Sequence, residues 1–171
     1  GNLADGVCLF DRLTGEQLIV YTGMMFGLER EDVRARTADL LQLMDLTQAA
    51  GTPVVDYSAG MTKKIALACA LVHAPKLLVL DEPFESVDPV SAANIEDVLR
   101  SYTASGGTVI VSSHSMDLVQ RMCDHVSVIS SGRVVAAGSV DDVRGGQSLQ
   151  ERFIELVGGR RVLAPLHAEL A

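Results

Sequence analysis

Leu77-Leu78-Val79-Leu80-Asp81-Glu82-Pro83 decides how this chain is read. Four apolar residues, enough for one buried strand, run into two adjacent carboxylates and a proline that stops the strand. In an open parallel sheet, ligands sit beyond the carboxyl ends of the strands. These carboxylates therefore stand where a nucleotide-bound metal and an attacking water would be served. Such a strand usually works with a phosphate loop of the form G-x-x-x-x-G-K-[ST]. That pattern occurs nowhere in the 171 residues. Half of a nucleotide site is legible without its other half.

Downstream of this strand the chain alternates helix and strand. A helix is expected over 90–105, and Gly106-Gly107 turns into a strand over 108–112. A helix over 115–123 follows, then a hairpin of 126–129 and 134–136 across Ser131-Gly132, and a last helix over 149–157. Upstream the pattern is helical. Leu13, Leu18, Tyr21, Met24 and Met25 give one apolar face, with Thr14 and Gln17 spaced as a capping box. A second helix over 30–46 carries Val33, Leu40, Leu41 and Met44, and Gly51-Thr52-Pro53 breaks it. Ser58 precedes a third helix over 60–72. Strands alternating with helices imply an α/β fold with a mostly parallel sheet, the carboxy-terminal β-hairpin as its mixed edge, joined to a helical subdomain.

Composition narrows the class. Hydrophobic residues make up 48% of the chain and aromatics 4%, which indicates a compact core of Leu, Val, Ala and Ile rather than disorder. A net charge of −8 argues against a surface for nucleic acid. Cys8, Cys69 and Cys123 are scattered, with no CxxC pair, so neither a disulfide framework nor a zinc site is supported, and reduced thiols are expected. No apolar run approaches the ~18–20 residues that cross a bilayer. The start, Gly1-Asn2-Leu3, has neither an initiator Met nor a signal peptide, as expected of an excised or processed piece or of one whose amino terminus is missing.

Four motifs could carry chemistry, and each also has an ordinary structural reading. Asp81 suits Mg²⁺, a hard cation that keeps water and prefers oxygen ligands, and Glu82 suits the polarisation of a water attacking a terminal phosphate. Alone, the pair could be solvated acids ahead of a turn. His114, in Ser112-Ser113-His114-Ser115, stands past the next strand, where a histidine could donate to a phosphate oxygen. Alone it reads as a loop histidine. Tyr57-Ser58-Ala59-Gly60-Met61 opens a helix whose N–H groups and serine hydroxyl suit an anion; a plain N-cap is the alternative. Asp88, in Ser86-Val87-Asp88-Pro89, is a turn residue and a candidate cap.

In order and spacing, Tyr57-Ser58-Ala59-Gly60-Met61, residues 77–83, Ser86-Val87-Asp88 and His114 resemble the signature motif, Walker B strand, D-loop and H-loop of ABC-type ATPases. The likeness runs over about 13–143, and the segment Gly132-Arg133-Val134-Val135-Ala136-Ala137-Gly138 resembles the hairpin that follows the H-loop in transporter subunits. The resemblance implies a P-loop NTPase-like ABC ATPase fragment. Asp81 would support Mg²⁺, Glu82 would be the catalytic base and His114 the switch histidine. Ser58, Ala59, Gly60 and Met61 would meet the γ-phosphate of ATP held by the opposite protomer, and Asp88 would lie at that dimer interface. Residues 1–75 would hold the Q-loop region and the helical subdomain, 76–145 the RecA-like half, and 146–171 a carboxy-terminal helix and tail.

Departures accompany the likeness. Tyr57, Ala59 and Met61 replace three of the five usual L-S-G-G-Q positions, Asp5 is the nearest match to the Q-loop glutamine, and the Walker A loop is missing. The expected parent is an ATP-hydrolysing subunit of a membrane transporter, a homodimer or heterodimer on transmembrane partners at the cytoplasmic face of the membrane. Its Asp11-Arg12-Leu13-Thr14-Gly15 segment and its tail lean toward an exporter. The 171-residue chain alone is expected to be inactive. The competing expectation is a non-catalytic, truncated ABC-like module that acts through partner binding. A DNA-repair or chromosome ATPase is disfavoured by the acidic charge and the lack of sustained heptads.

Overall fold

The computed structural model describes residues 2–3 and 12–158, arranged as two compact units, Gly1–Ser113 and His114–Ala171. Asp5, Cys8 and the Gly159-Arg160-Arg161 tail lie outside the described residues.

In the first unit, helices α1 (Gly15–Met25), α2 (Arg30–Leu43) and α3 (Ala59–Leu71) precede strand β2 (Leu77–Leu80), helix α4 (Pro89–Ala104) and strand β3 (Thr108–Val111). A two-residue strand β1 (Asn2–Leu3) joins them in a sheet of order β1-β2-β3, parallel throughout. The α/β reading with a parallel sheet therefore stands. β2 occupies the centre, with Leu78 opposite Val109 and Leu80 opposite Val111. Leu78 and Leu80 are buried, while Leu77, Val79 and Ile110 lie exposed on the other face. α3 lies against β1 and α4 against β3.

The helix ends follow from local chemistry. Thr14 and Gln17 form the expected capping box, Thr14 Oγ1 accepting from Gln17 N at 3.2 Å and Gln17 Oε1 from Thr14 N at 3.1 Å. Caps of this kind contribute about 1 kcal/mol each. α2 stops three residues earlier than the periodicity predicts. Asp45 turns left-handed at φ 55°, and the N–H of Leu46 reaches back to Leu41 O at 2.8 Å. That closes a Schellman motif and satisfies carbonyls a longer helix would have used. Gly106, at φ 94°, closes α4 the same way and leads into β3.

The buried side of α1 shares Leu18 with the predicted face but is otherwise turned away from it. Gly15, Leu18, Ile19 and Gly23 face the core, whereas Tyr21, Met24 and Met25 are exposed. The cause is close approach. A Cβ at Gly23 would lie 2.9 Å from both Val33 methyls, and one at Gly15 would lie 2.1 Å from the Tyr57 hydroxyl. The helix packs through Leu18, Ile19 and its two glycines rather than through Tyr21, Met24 and Met25.

The second unit holds α5 (Met116–Met122), β4 (His125–Ser130), β5 (Arg133–Ser139), α6 (Val140–Arg144) and α7 (Leu149–Val157). β4 and β5 form the expected hairpin, longer than read from sequence and bulged between Val128 and Ile129, but they pair only with each other as a two-stranded sheet and are not an edge of the parallel one. Ser131 and Gly132 both have positive φ, as a two-residue primed turn requires. Val119, Val128, Val143 and Leu149 make the core of this unit. α6 was not expected; Ser139 caps it by accepting from Asp142 N at 3.1 Å.

Candidate functional site

The site is built at the carboxyl end of β2. Leu78 and Leu80 anchor the strand in the core, so the chain leaves the sheet at Asp81 with that carboxylate exposed and Glu82 half-buried. Glu82 takes a left-handed backbone, φ 42°, which is uncommon for a residue with a side chain. It is the second residue after β2. Here the turn swings the backbone so that both carboxylates leave from the same strand end.

That geometry is held by hydrogen bonds at both ends of the peptide. The Glu82 N–H donates to Ser112 Oγ at 3.0 Å, and the Glu82 carbonyl accepts from Lys63 Nζ at 3.1 Å and from Glu85 N at 3.2 Å. The Ser112 hydroxyl in turn donates to Asp81 Oδ1 at 2.5 Å. Ser112 follows β3, and its own N–H bonds to Leu80 O at 2.9 Å, so the ladder fixes its position across from the carboxylates. Sequence reasoning missed both Ser112 and Lys63 as members of this group. The only signal was the position of Ser112 at the end of a strand expected to neighbour β2.

The residues around Ser58 and Asp88 also meet. Ser58 is the N-cap of α3, its hydroxyl accepting from Met61 N at 3.3 Å, and Ala59, Gly60 and Met61 form the first turn. Asp88 caps α4, with Oδ1 accepting from Val90 N at 3.1 Å and Ser91 N at 3.0 Å. The Ser91 N–H holds the Asp88 carboxyl below the usual carboxylate range. Gly60 is buried where these two helix starts touch. A Cβ there would lie 2.8 Å from Ser91 Oγ and 2.9 Å from Asp88 Oδ2. The glycine is required inside the chain, by the contact with α4, whatever approaches from outside.

His114 opens the second unit, two residues past Ser112, with an exposed side chain. Ser115 is the cap residue of α5 by position, but its hydroxyl makes no cap bond.

Among the described residues no three or more His, Cys, Asp or Glu side chains cluster as a closed metal site. The β2 end offers one exposed carboxylate, Asp81, an oxygen donor of the kind a hard cation takes when phosphate and water complete its shell. This fits Mg²⁺. Two grooves of about 500 and 600 Å³ run along α1 and α2, and no residue of β2 or of the segment after it lines either one. Among the described residues no helix is long and apolar enough to cross a membrane.

Comparison with known proteins places the chain among its relatives. Residues 11–120 match the family model described as "AAA domain, putative AbiEii toxin, Type IV TA system". The linearmycin resistance ATP-binding protein of Bacillus subtilis is 32% identical over 143 residues, which are 84% of this chain and 46% of that protein. The daunorubicin resistance ATP-binding protein of Streptomyces coeruleorubidus is 33% identical, over 84% of this chain and 46% of its own length. A Nod factor export ATP-binding protein of Sinorhizobium fredii is 38% identical, over 72% and 36%. Among solved structures, the ATP-binding subunit of an ABC transporter superposes with a TM-score of 0.82 at 29% identity, covering 91% of this chain and 67% of that one. The chain spans about half the length of the curated relatives it matches.

Proposed function

Since the chain belongs to the AAA-domain family of that model and to the ATP-binding proteins of ABC transporters, we propose that it supplies the metal-supporting and water-activating side of a transport-coupled ATPase site. The observation that carries this reading is the clamped pair at the end of β2: Asp81 bridged to the Glu82 peptide by one serine hydroxyl.

In this reading Asp81 would hold a Mg²⁺ bound to the ATP phosphates, and the ion would neutralise charge on the transferring group. Glu82 accepts the proton of the attacking water, and His114 donates a hydrogen bond to a terminal phosphate oxygen. Ser58, Ala59, Gly60, Met61 and Asp88 face ATP carried by a second ATPase subunit, in a homodimer or heterodimer. Transmembrane subunits at the cytoplasmic face receive the motion. The word "export" in the name of the Nod factor relative supports an outward direction.

Calorimetric titration with Mg·ATP separates this from a module that acts only through partners. The 171-residue chain is expected to bind weakly or not at all, because its sequence has no lysine-bearing loop to grip the β- and γ-phosphates. The intact gene product is expected to hydrolyse ATP in a Mg²⁺-dependent reaction. An intact product that binds partners but turns over no ATP would leave only the non-catalytic module.

A further inference from the structure

We infer that Ser112 and Lys63 are positioning residues for the ATPase reaction: together they hold Glu82 in its left-handed backbone, and Ser112 ties that backbone to the metal-supporting Asp81. The inference rests on the role proposed above for Glu82. It starts from a conformational problem. Glu82 sits at φ 42°, which a glutamate rarely adopts without surrounding structure to impose it. Glycine would take this turn freely but would carry no carboxylate. The turn therefore has to be enforced from outside the residue.

The bonds that enforce it come from two separate elements. From the end of β3, Ser112 accepts the Glu82 N–H; from the second turn of α3, Lys63 donates to the Glu82 carbonyl. A single serine hydroxyl serves the carboxylate and the peptide at once. A serine hydroxyl has one proton and two lone pairs. Its proton goes to Asp81 Oδ1, and a lone pair takes the Glu82 N–H. Donation to a carboxylate and acceptance from a peptide N–H polarise the hydroxyl in the same sense, so each bond strengthens the other. The carbonyl of Glu82, with two lone pairs, is filled by Lys63 Nζ and Glu85 N.

Two consequences differ between the residues. Losing either one frees the Glu82 backbone to relax toward an extended conformation, moving its carboxylate off the line of the water. Misplacement by about 1 Å typically costs on the order of 100-fold in rate. Only Ser112 also touches Asp81, so only its loss weakens the metal-supporting side. Lys63 lies five residues after Ser58 on the same chain segment, so a shift of the α3 amino terminus is carried straight to the Glu82 carbonyl.

Steady-state ATP hydrolysis by the intact protein, with melting temperatures recorded alongside, tests this on Lys63→Met, Lys63→Arg, Ser112→Ala, Ser112→Thr and Glu82→Gln. Lys63→Met and Ser112→Ala are expected to lower kcat about tenfold or more while KM for ATP stays within about twofold. Lys63→Arg and Ser112→Thr, which keep the donor and the hydroxyl, retain most of kcat. Ser112→Ala alone raises the Mg²⁺ concentration needed for half-maximal rate. Wild-type kcat in Lys63→Met or Ser112→Ala, with Glu82→Gln inactive, removes that residue from the assignment and leaves the ATPase reading intact. Equal loss in the conservative variants shows a merely structural role and overturns the inference. Full turnover in Glu82→Gln overturns the role of Glu82 itself.

Discussion

Glu82→Gln is expected to lower ATP turnover by the intact protein about 100- to 10,000-fold, the range that removal of a positioned general base commonly costs. The change is nearly isosteric. It keeps the left-handed backbone, because the bonds to Ser112 and Lys63 are made by main-chain atoms of residue 82 and not by its side chain. It removes the negative charge and the ability to take a proton from water. ATP affinity should therefore survive, and the loss should fall on kcat. A rate within about threefold of wild type would remove Glu82 from the chemistry, since a general base is worth far more than that.

Leu78→Ala carries the largest expected effect on stability. Leu78 is completely buried on the central strand, opposite Val109 of β3. Truncating a buried leucine to alanine costs about 2–5 kcal/mol, depending on how far the cavity collapses. Leu77, its neighbour, points to the exposed face at 44% accessibility. Leu77→Ala in the same 171-residue chain should change stability by no more than about 0.5 kcal/mol. Denaturant unfolding of the two variants tests the register of β2, because a one-residue slip would exchange the two faces. Equal losses from both substitutions would contradict the sheet described above.

The contrast between these two predictions shows what was legible in the chain. β2 announced itself as an apolar run with a hard stop, and the parallel sheet followed from strands alternating with helices. Caps at Thr14, Ser58 and Asp88 could be read because each acts within three residues of itself. The hairpin turn at Ser131-Gly132 was legible for the same reason. Features that depend on distant partners were not. The side of α1 that packs is set by Val33 and Tyr57 meeting two glycines, so the apolar stripe through Tyr21, Met24 and Met25 pointed the wrong way. The early end of α2 depended on Asp45 adopting a conformation that its neighbours do not advertise.

The site divides along the same line. Asp81, Glu82, Ser58, Gly60 and Asp88 could be singled out because they lie in short recognisable runs. Ser112 sits 30 residues from Glu82 and 31 from Asp81, and Lys63 sits 19 residues from Glu82. Nothing local marks either as a neighbour of the carboxylates. Gly60 was legible as a residue but not in its reason. Ser91 and Asp88 occupy the space where its Cβ would be, a contact that only the fold reveals.

The central claim is that the end of β2 serves the metal and the water of a bound nucleotide. Replacing Mg²⁺ with paramagnetic Mn²⁺ in the ATP-bound intact protein and recording backbone amide spectra tests it most directly. The account predicts that the signals of Asp81, Glu82 and Ser112 broaden first, those of α2 stay sharp, and Asp81→Asn weakens the effect. Broadening centred elsewhere, with the amides of 81, 82 and 112 unchanged, would contradict it.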